Sequence, residues 1–151
     1  MTAGAPAVDA PAGFVLRGVG TGFASPAIFG PLYVCMLRGL LGFRVAERHL
    51  NPVGVCNGGA MATFADMQIV ALEMGAGTGS GHQPTITLSV DYLAPAPLGS
   101  WVEAAVTLVK TTRTLIFSQA MITADRVSVA RSNAIYRRYV KTGHGQGAPS
   151  G

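Results

Sequence analysis

Apolar side chains fill residues 58–74 on every side of a predicted helix, and no proline interrupts them. The stretch stops at Gly75, and glycine commonly terminates helices. Alanine, methionine and leucine favour helical backbone, so the pattern predicts one long helix of about four or five turns. Because this helix is hydrophobic nearly all round, it has to be buried.

After a glycine-rich turn over residues 75–81, the period of the pattern changes to two, which is typical of strands. In residues 85–92 the polar set is Thr85, Thr87, Ser89 and Asp91, and the apolar set is Ile86, Leu88, Val90 and Tyr92. Similar alternation predicts strands at residues 101–110, 115–124 and 127–140. The tight turns between them predict an antiparallel sheet.

The pattern is weaker before the long helix. Ser25 and Pro26 precede an apolar cluster and predict the start of a short helix. Residues 32–38 and 43–49 are predicted strands on either side of a turn over residues 39–42. One buried helix and an antiparallel sheet make an α+β fold, and an all-round apolar helix favours a sheet curled around it, although the pattern alone admits other α+β folds.

The composition indicates a single domain that associates with other copies of itself. Of the 151 residues 49% are apolar and only 12% are charged, which indicates surface hidden beyond one chain's own core. We expect the domain to span residues 14–140, between a disordered leader (1–13) and a disordered tail (141–151). Neither a membrane span nor a secretory signal is apparent, so we expect a cytoplasmic protein.

Charge and cysteine content narrow the classes of ligand. Cys35 and Cys56 are too few for a disulfide framework or a metal site, so both are interpreted as packing residues. The net charge of +4 is modest. A nucleic-acid partner is not expected, because such proteins usually carry a denser basic stripe with interleaved aromatic residues.

Candidate chemistry begins where Asn57, Gly58 and Gly59 lead into the long helix. The first amide N–H groups of a helix have no partners within it, and the positive end of the helix dipole lies there. A carbonyl oxygen placed at this point would be polarised and an oxyanion stabilised. The alternative is that Asn57 only caps the helix and the glycines serve packing.

Asp66 lies within the apolar helix, where an unpaired carboxylate is costly to desolvate. It is either a nucleophile or general base, or a structural acceptor of hydrogen bonds from a neighbouring strand. Nine residues separate it from Asn57, which corresponds to about 13 Å along a helix. If both residues are catalytic, the site has to be shared between subunits.

These residues resemble a known family, the hotdog-fold acyl-CoA thioesterases of the phenylacetate-pathway (PaaI-like) branch. Its signature reads approximately Asn-x-x-Gly-x-x-His-Gly-Gly, followed by Asp eight residues after the first glycine of the pair. The matching residues are Asn51, Gly54, Gly58, Gly59 and Asp66. The likeness extends over residues 29–139 and implies a hotdog fold, in which an antiparallel sheet wraps one long central helix.

The resemblance also implies a catalytic arrangement. Asp66 would be the nucleophile or general base, and the Gly58 N–H with the Asn51 amide from the other subunit would polarise the thioester carbonyl. Thr85 would orient water or the carboxylate, unless it is an ordinary solvent-facing threonine. Asn57 stands where the signature has histidine; an amide can hold a carbonyl or Asn51 but cannot titrate. His49 is a nearby imidazole, interpreted as an ordinary edge histidine.

The resemblance further implies an acyl-CoA substrate, no other cofactor, no metal, and a homodimer or dimer of dimers. The candidate partners of the CoA phosphates are Lys110, Arg113, Arg137 and Arg138. An acyl pocket is expected near Met61, Phe64, Met67 and residues 29–32. The competing hypotheses, in order, are a thioesterase, a binding module for acyl-CoA or an acyl carrier that has lost turnover, and a dehydratase or hydratase.

Overall fold

The structure, a computed structural model, describes residues 9–17, 22–73 and 82–139. These residues form one seven-stranded sheet in the order β1-β2-β3-β5-β6-β7-β4, with every neighbouring pair antiparallel. The strands are β1 (Val15–Leu16), β2 (Tyr33–Cys35), β3 (Leu40–Arg44), β4 (Thr85–Tyr92), β5 (Trp101–Thr111), β6 (Leu115–Ala124) and β7 (Val127–Arg137). The helices are α1 (Gly58–Asp66) and α2 (Gln68–Glu73), and short 3-10 turns cover Met36–Arg38 and Glu47–His49.

The long predicted helix is present as α1 followed directly by α2, with an irregularity at Met67, whose ψ is 6°. The carbonyl of Asp66 would normally accept the N–H of Val70 in a continuous helix. It accepts the Tyr136 hydroxyl instead at 2.6 Å, and the Val70 N–H bonds to Met67 O at 2.9 Å. A side chain inserted into the hydrogen-bond ladder therefore explains the break. Met74 and the predicted turn over residues 75–81 lie outside the described residues.

The core lies between the helical segment and one face of the curled sheet. Phe64 of α1 is fully buried against Phe43 of β3, with ring centroids 4.7 Å apart. Inward-facing side chains of the long strands complete this cluster; among them are Val102, Ala104, Ala120, Ile122 and Ala130. Met61, Phe64 and Ala65 are thus the buried residues of α1, and its other residues, which carry the candidate chemistry, are half-buried or exposed.

Strand β4 forms one edge of the sheet and contains a β-bulge. Thr85 pairs with Tyr136, but Thr87 pairs with Ile135, so two residues of β4 oppose one of β7. The bulge turns Thr85 to the helix side of the sheet, although Thr87 faces outward. The predicted common face for Thr85 and Thr87 is therefore wrong, because period-two alternation holds only in an unbroken strand.

The early elements also differ from the prediction. Residues 25–30 form turns in which the Ser25 carbonyl accepts the N–H groups of Ile28 and Phe29, and no helix begins there. The strand predicted over 32–38 ends at Cys35, and that predicted over 43–49 runs from Leu40 to Arg44. Gly39, with a left-handed φ of 62°, reverses the chain earlier than expected. Gly42 belongs to β3, where Trp101 leaves no room for a Cβ.

The predicted domain limits at residues 14 and 140 stay predictions. Residues 1–8 of the predicted leader and the whole predicted tail lie outside the described residues. Within the described part, contacts with the sheet begin before residue 14, because Asp9 pairs with Arg44 at 2.8 Å. No helix in the described ranges has the length and hydropathy needed to cross a membrane.

Candidate active site

Asn57 caps the N-terminus of α1. Its backbone is extended, its Oδ1 accepts the Gly59 N–H at 2.7 Å, and its carbonyl accepts the Met61 N–H at 3.0 Å. Because the cap uses the N–H of Gly59, it leaves that of Gly58 available: no acceptor for it lies among the described residues. Asn57 can therefore cap the helix while the segment also binds a carbonyl oxygen, because the cap uses the Gly59 N–H and the carbonyl would use the Gly58 N–H.

Asn51 organises the loop that leads to the cap. Its Oδ1 accepts the N–H groups of Val53 and Val55, at 3.1 and 3.2 Å, while its own N–H donates to the Val55 carbonyl at 2.8 Å. The loop is tied to the helix start, because the Asn57 N–H donates to His49 O at 2.7 Å. With Oδ1 occupied, the Asn51 side chain has its amide nitrogen left to donate to a ligand.

His49 does not replace the missing histidine. It is 4% exposed rather than an edge residue, and its ring packs against Phe29 and Phe43. Its Nδ1 accepts the Ala46 N–H at 2.9 Å, so its Nε2 donates to Phe29 O at 2.5 Å. Burial lowers the pKa of His49, which keeps the ring neutral with both nitrogens engaged. It is a structural residue.

The neighbouring thiol is no nucleophile either. Burial raises the pKa of Cys56 to about 11, so the group is protonated at neutral pH. This agrees with its interpretation as a packing residue.

A groove of about 390 Å³ lies beside the helix N-terminus. Its apolar lining comes from Phe23, Ile28, Phe29, Leu50 and Ala60, and its polar lining from Arg48, His49, Asn57 and Gly59. Phe29 was expected in an acyl pocket. Met61, Phe64 and Met67 are instead buried in the core, because they occupy the face of the helix that packs on the sheet.

Asp66 lies at the other end of α1. It is half-buried, and its Oδ1 accepts the Thr85 hydroxyl at 2.8 Å. The β-bulge of β4 makes this contact possible. Among the described residues nothing donates to Oδ2, so this oxygen can accept a proton or hydrogen bond from a ligand.

The two groups of candidates are separated by the length of α1. Asn57 precedes its first residue and Asp66 is its last, so about 13 Å of helix lies between them. The structure brings Asn51, Asn57 and Gly58 together at one end, and Asp66 with Thr85 at the other. One chain does not bring all five around one small ligand.

The four candidate CoA-binding side chains share one end of the sheet. Lys110 lies near the end of β5 and Arg113 lies in the β5–β6 turn, where the backbone N–H of Arg138 donates to Thr114 O at 2.8 Å. The N–H of Arg137 donates to Pro84 O at 2.8 Å, next to Thr85. This basic end is therefore the end at which Asp66 lies. Lys110, Arg113 and Arg137 are exposed.

Two tyrosines that were not predicted as site residues donate hydrogen bonds to the two ends of α1. The hydroxyl of Tyr92 donates to Gly58 O at 2.6 Å, and that of Tyr136 donates to Asp66 O at the same distance. Burial, and then the charge of Asp66, raises the pKa of the Tyr136 phenol, which keeps it protonated as a donor. In the sequence they are marked only by a hydroxyl group among the apolar residues of a predicted strand.

Residues 53–143 match the family model of the thioesterase superfamily, a span that includes α1, Asp66 and strands β4 to β7. The chain belongs to this superfamily. A Caenorhabditis elegans protein named as a candidate esterase is 32% identical over 74 residues, which are 49% of this chain and 43% of that protein. This chain thus matches less than half the length of that relative.

Solved structures of other proteins show the same fold. A mutant of the phenylacetic acid degradation protein PaaI from Thermus thermophilus superposes with a TM-score of 0.59 at 19% identity, covering 84% of this chain and 94% of that one. A hypothetical thioesterase from Streptococcus pneumoniae, solved with coenzyme A, superposes with a TM-score of 0.60 at 18% identity, covering 84% and 86%. The predicted hotdog fold is confirmed, and so is the resemblance to the thioesterase superfamily, whereas the PaaI-like branch stays a prediction.

Proposed function

We propose that this superfamily member is an acyl-CoA thioesterase that works as a homodimer with two shared active sites. The observation that carries the proposal is the Asp66 carboxylate, held by Thr85 through one oxygen and open through the other. A carboxylate that is oriented but not consumed by its structural partners is suited to act as a base or nucleophile.

The electrophilic half of each site is assigned to the Gly58 N–H and the Asn51 amide. Both are donors with no acceptor among the described residues, and Gly58 begins a helix whose dipole favours negative charge. Donors fixed in this way stabilise the oxyanion that forms when the thioester carbonyl is attacked. Asn57 supports the donors by capping the helix, and its own amide nitrogen is a further donor.

The nucleophilic half is assigned to Asp66 and Thr85 of the other subunit. As general base, Asp66 takes a proton from water as the water oxygen attacks the thioester carbon, and the carbon–sulfur bond then breaks. The departing thiolate recovers the proton, so the products are a carboxylic acid and CoA. Attack by Asp66 itself would pass through an anhydride that water hydrolyses to the same products. Neither route requires a metal or a redox cofactor.

A dimer is supported by the length of α1 and by the free edge of β4. About 13 Å of helix separates the two halves within one chain, so a complete site needs a second copy. The edge strand also leaves Ile86 and Tyr92 more than half exposed, as expected of a surface covered by another chain. A dimer of dimers and a cytoplasmic location stay predictions.

The basic end near Asp66 is proposed to bind the phosphates of CoA. We expect Arg113→Gln to raise KM about threefold to tenfold with little change in kcat, because an exposed cation contributes binding rather than chemistry. Initial rates over a range of acyl-CoA concentrations measure this. Arg126→Gln, at the opposite hairpin, is the matched control and should leave KM unchanged. Equal effects of both variants would contradict a phosphate site at this end.

The second candidate function, a binding protein for acyl-CoA or an acyl carrier without turnover, is favoured by Asn57 alone, which cannot transfer a proton. Thiol release from a panel of aromatic, short-chain and medium-chain acyl-CoA esters separates the two. We expect hydrolysis well above background for at least one class. Retained binding of CoA esters without any thiol release would favour the binding protein.

A further inference from the structure

Tyr92, the last residue of β4, contacts the first turn of α1 in two ways. Its hydroxyl donates to Gly58 O at 2.6 Å, and its ring lies so close that a Cβ on Gly58 would meet ring and hydroxyl atoms at 3.3 Å. That distance is tighter than ordinary van der Waals contact. Tyr92 and Gly58 therefore pack closely, and the Tyr92 side chain would have to shift by a few tenths of an ångström to admit a Cβ at residue 58.

The hydroxyl is not needed to satisfy the Gly58 carbonyl. That carbonyl lies in the first turn of a regular helix, where the N–H four residues later already supplies a donor. A second donor at 2.6 Å polarises the peptide bond between Gly58 and Gly59, and hydrogen bonds in series strengthen one another. The N–H of this same peptide bond donates to Asn57 Oδ1 at 2.7 Å. The hydrogen bonds run from the Tyr92 hydroxyl through peptide 58–59 to the Asn57 amide.

This series fixes the orientation of the Asn57 side chain. Because Oδ1 is held against the Gly59 N–H, the amide nitrogen of Asn57 is directed away from the helix, and Asn57 lines the neighbouring groove. The contact of Tyr92 with the first turn of α1 thus holds Gly58 and Asn57, which carry two of the proposed donors for a carbonyl oxygen.

We propose that Tyr92 is a positioning residue for the thioester carbonyl. It holds Gly58, whose N–H is one proposed donor, by direct contact, and it acts through peptide 58–59 on the Asn57 amide. The inference rests on the proposed thioesterase function. Tyr92 acts on the donors and not on the reacting atoms, so it aligns the transition state rather than holding the CoA part of the substrate.

The test compares Tyr92→Phe, which keeps the ring and removes the hydroxyl, with Tyr33→Phe. Tyr33 lies on the opposite face of the sheet, and its hydroxyl has no acceptor among the described residues. We expect Tyr92→Phe to lower kcat about tenfold, the usual effect of one hydrogen bond, with KM and Tm unchanged. Tyr33→Phe should leave kcat unchanged. A kcat equal to that of the wild type, or a loss that follows a fall in Tm, overturns the inference.

Amide hydrogen exchange at Gly59, followed by NMR, tests the series of hydrogen bonds independently of turnover. We expect Tyr92→Phe to accelerate this exchange several-fold, and Tyr33→Phe to leave it unchanged. If the wild-type protein hydrolyses no acyl-CoA ester, the proposed function fails, but accelerated Gly59 exchange still supports the coupling of Tyr92 to the Asn57 cap. Unchanged exchange in Tyr92→Phe overturns it whether or not the protein is a thioesterase.

Discussion

Asp66→Asn is expected to lower kcat/KM for acyl-CoA hydrolysis about 10³-fold and to leave the fold intact. An asparagine of the same shape can still accept the Thr85 hydroxyl, which donates to Asp66 at 2.8 Å. It cannot take a proton from water or attack the thioester, and loss of a general base typically costs 10²- to 10⁴-fold in rate. The rate of thiol release from one acyl-CoA ester measures the loss of kcat/KM, and thermal unfolding checks the fold.

Asp91→Asn is the matched control for this prediction. Like Asp66, Asp91 is a carboxylate with one side-chain partner, since it pairs with Arg131 at 2.7 Å. Unlike Asp66, it is exposed and lies in β4 on the outer face of the sheet. Exposed ion pairs contribute about 0–1 kcal/mol to stability, so its removal should change neither Tm nor rate appreciably. Hydrolysis at full rate in Asp66→Asn would exclude this carboxylate as the catalytic group.

Mixed dimers of two inactive variants are expected to recover activity if the sites are shared. Asn51→Asp is the second variant, because its carboxylate still accepts the N–H groups of Val53 and Val55 that order the loop. It loses the amide donor and places negative charge beside the developing oxyanion, so we expect a fall in kcat of at least about 10²-fold. Both variants should fold and dimerise.

Co-refolding Asp66→Asn with Asn51→Asp in equal amounts makes half of the dimers mixed. One of the two sites in each mixed dimer then combines two unchanged halves, so about a quarter of the wild-type activity should return. Co-refolding Asp66→Asn with the double variant is the control, since no chain then carries Asp66. If differently tagged chains purify together as mixed dimers and activity stays at background, the sites are not shared between subunits.

The sequence predicted the fold best where local pattern and long-range packing agree. Strand β6 follows the predicted bounds, and the helical segment starts at Gly58 as expected, because proline-free apolar residues follow a capping asparagine. The short elements before the helix were predicted poorly. They depend on the left-handed backbone of Gly39 and on the packing of Trp101 against Gly42. A pattern of apolar and polar residues predicts neither a backbone angle nor a contact between residues distant in the sequence.

The candidate site was predicted residue by residue but not in its connections. The motif from Asn51 to Asp66 located both halves of the proposed chemistry, and Thr85 was named beside Asp66. It did not predict that His49 is buried and fully hydrogen-bonded, or that Tyr92 contacts Gly58. Such contacts depend on how a strand end meets a helix start, which requires the three-dimensional arrangement.

The bulge in β4 determines which face of the sheet Thr85 projects from. Thr85 meets Asp66 only because one extra residue, Ile86, separates it from the regular part of the strand. A relative that lacks this extra residue would have a regular strand, in which the residue opposite Tyr136 projects to the helix side without a bulge. A hydroxyl six residues before Tyr92 in an unbulged strand would therefore take the same place beside Asp66 as Thr85 does here, seven residues before Tyr92.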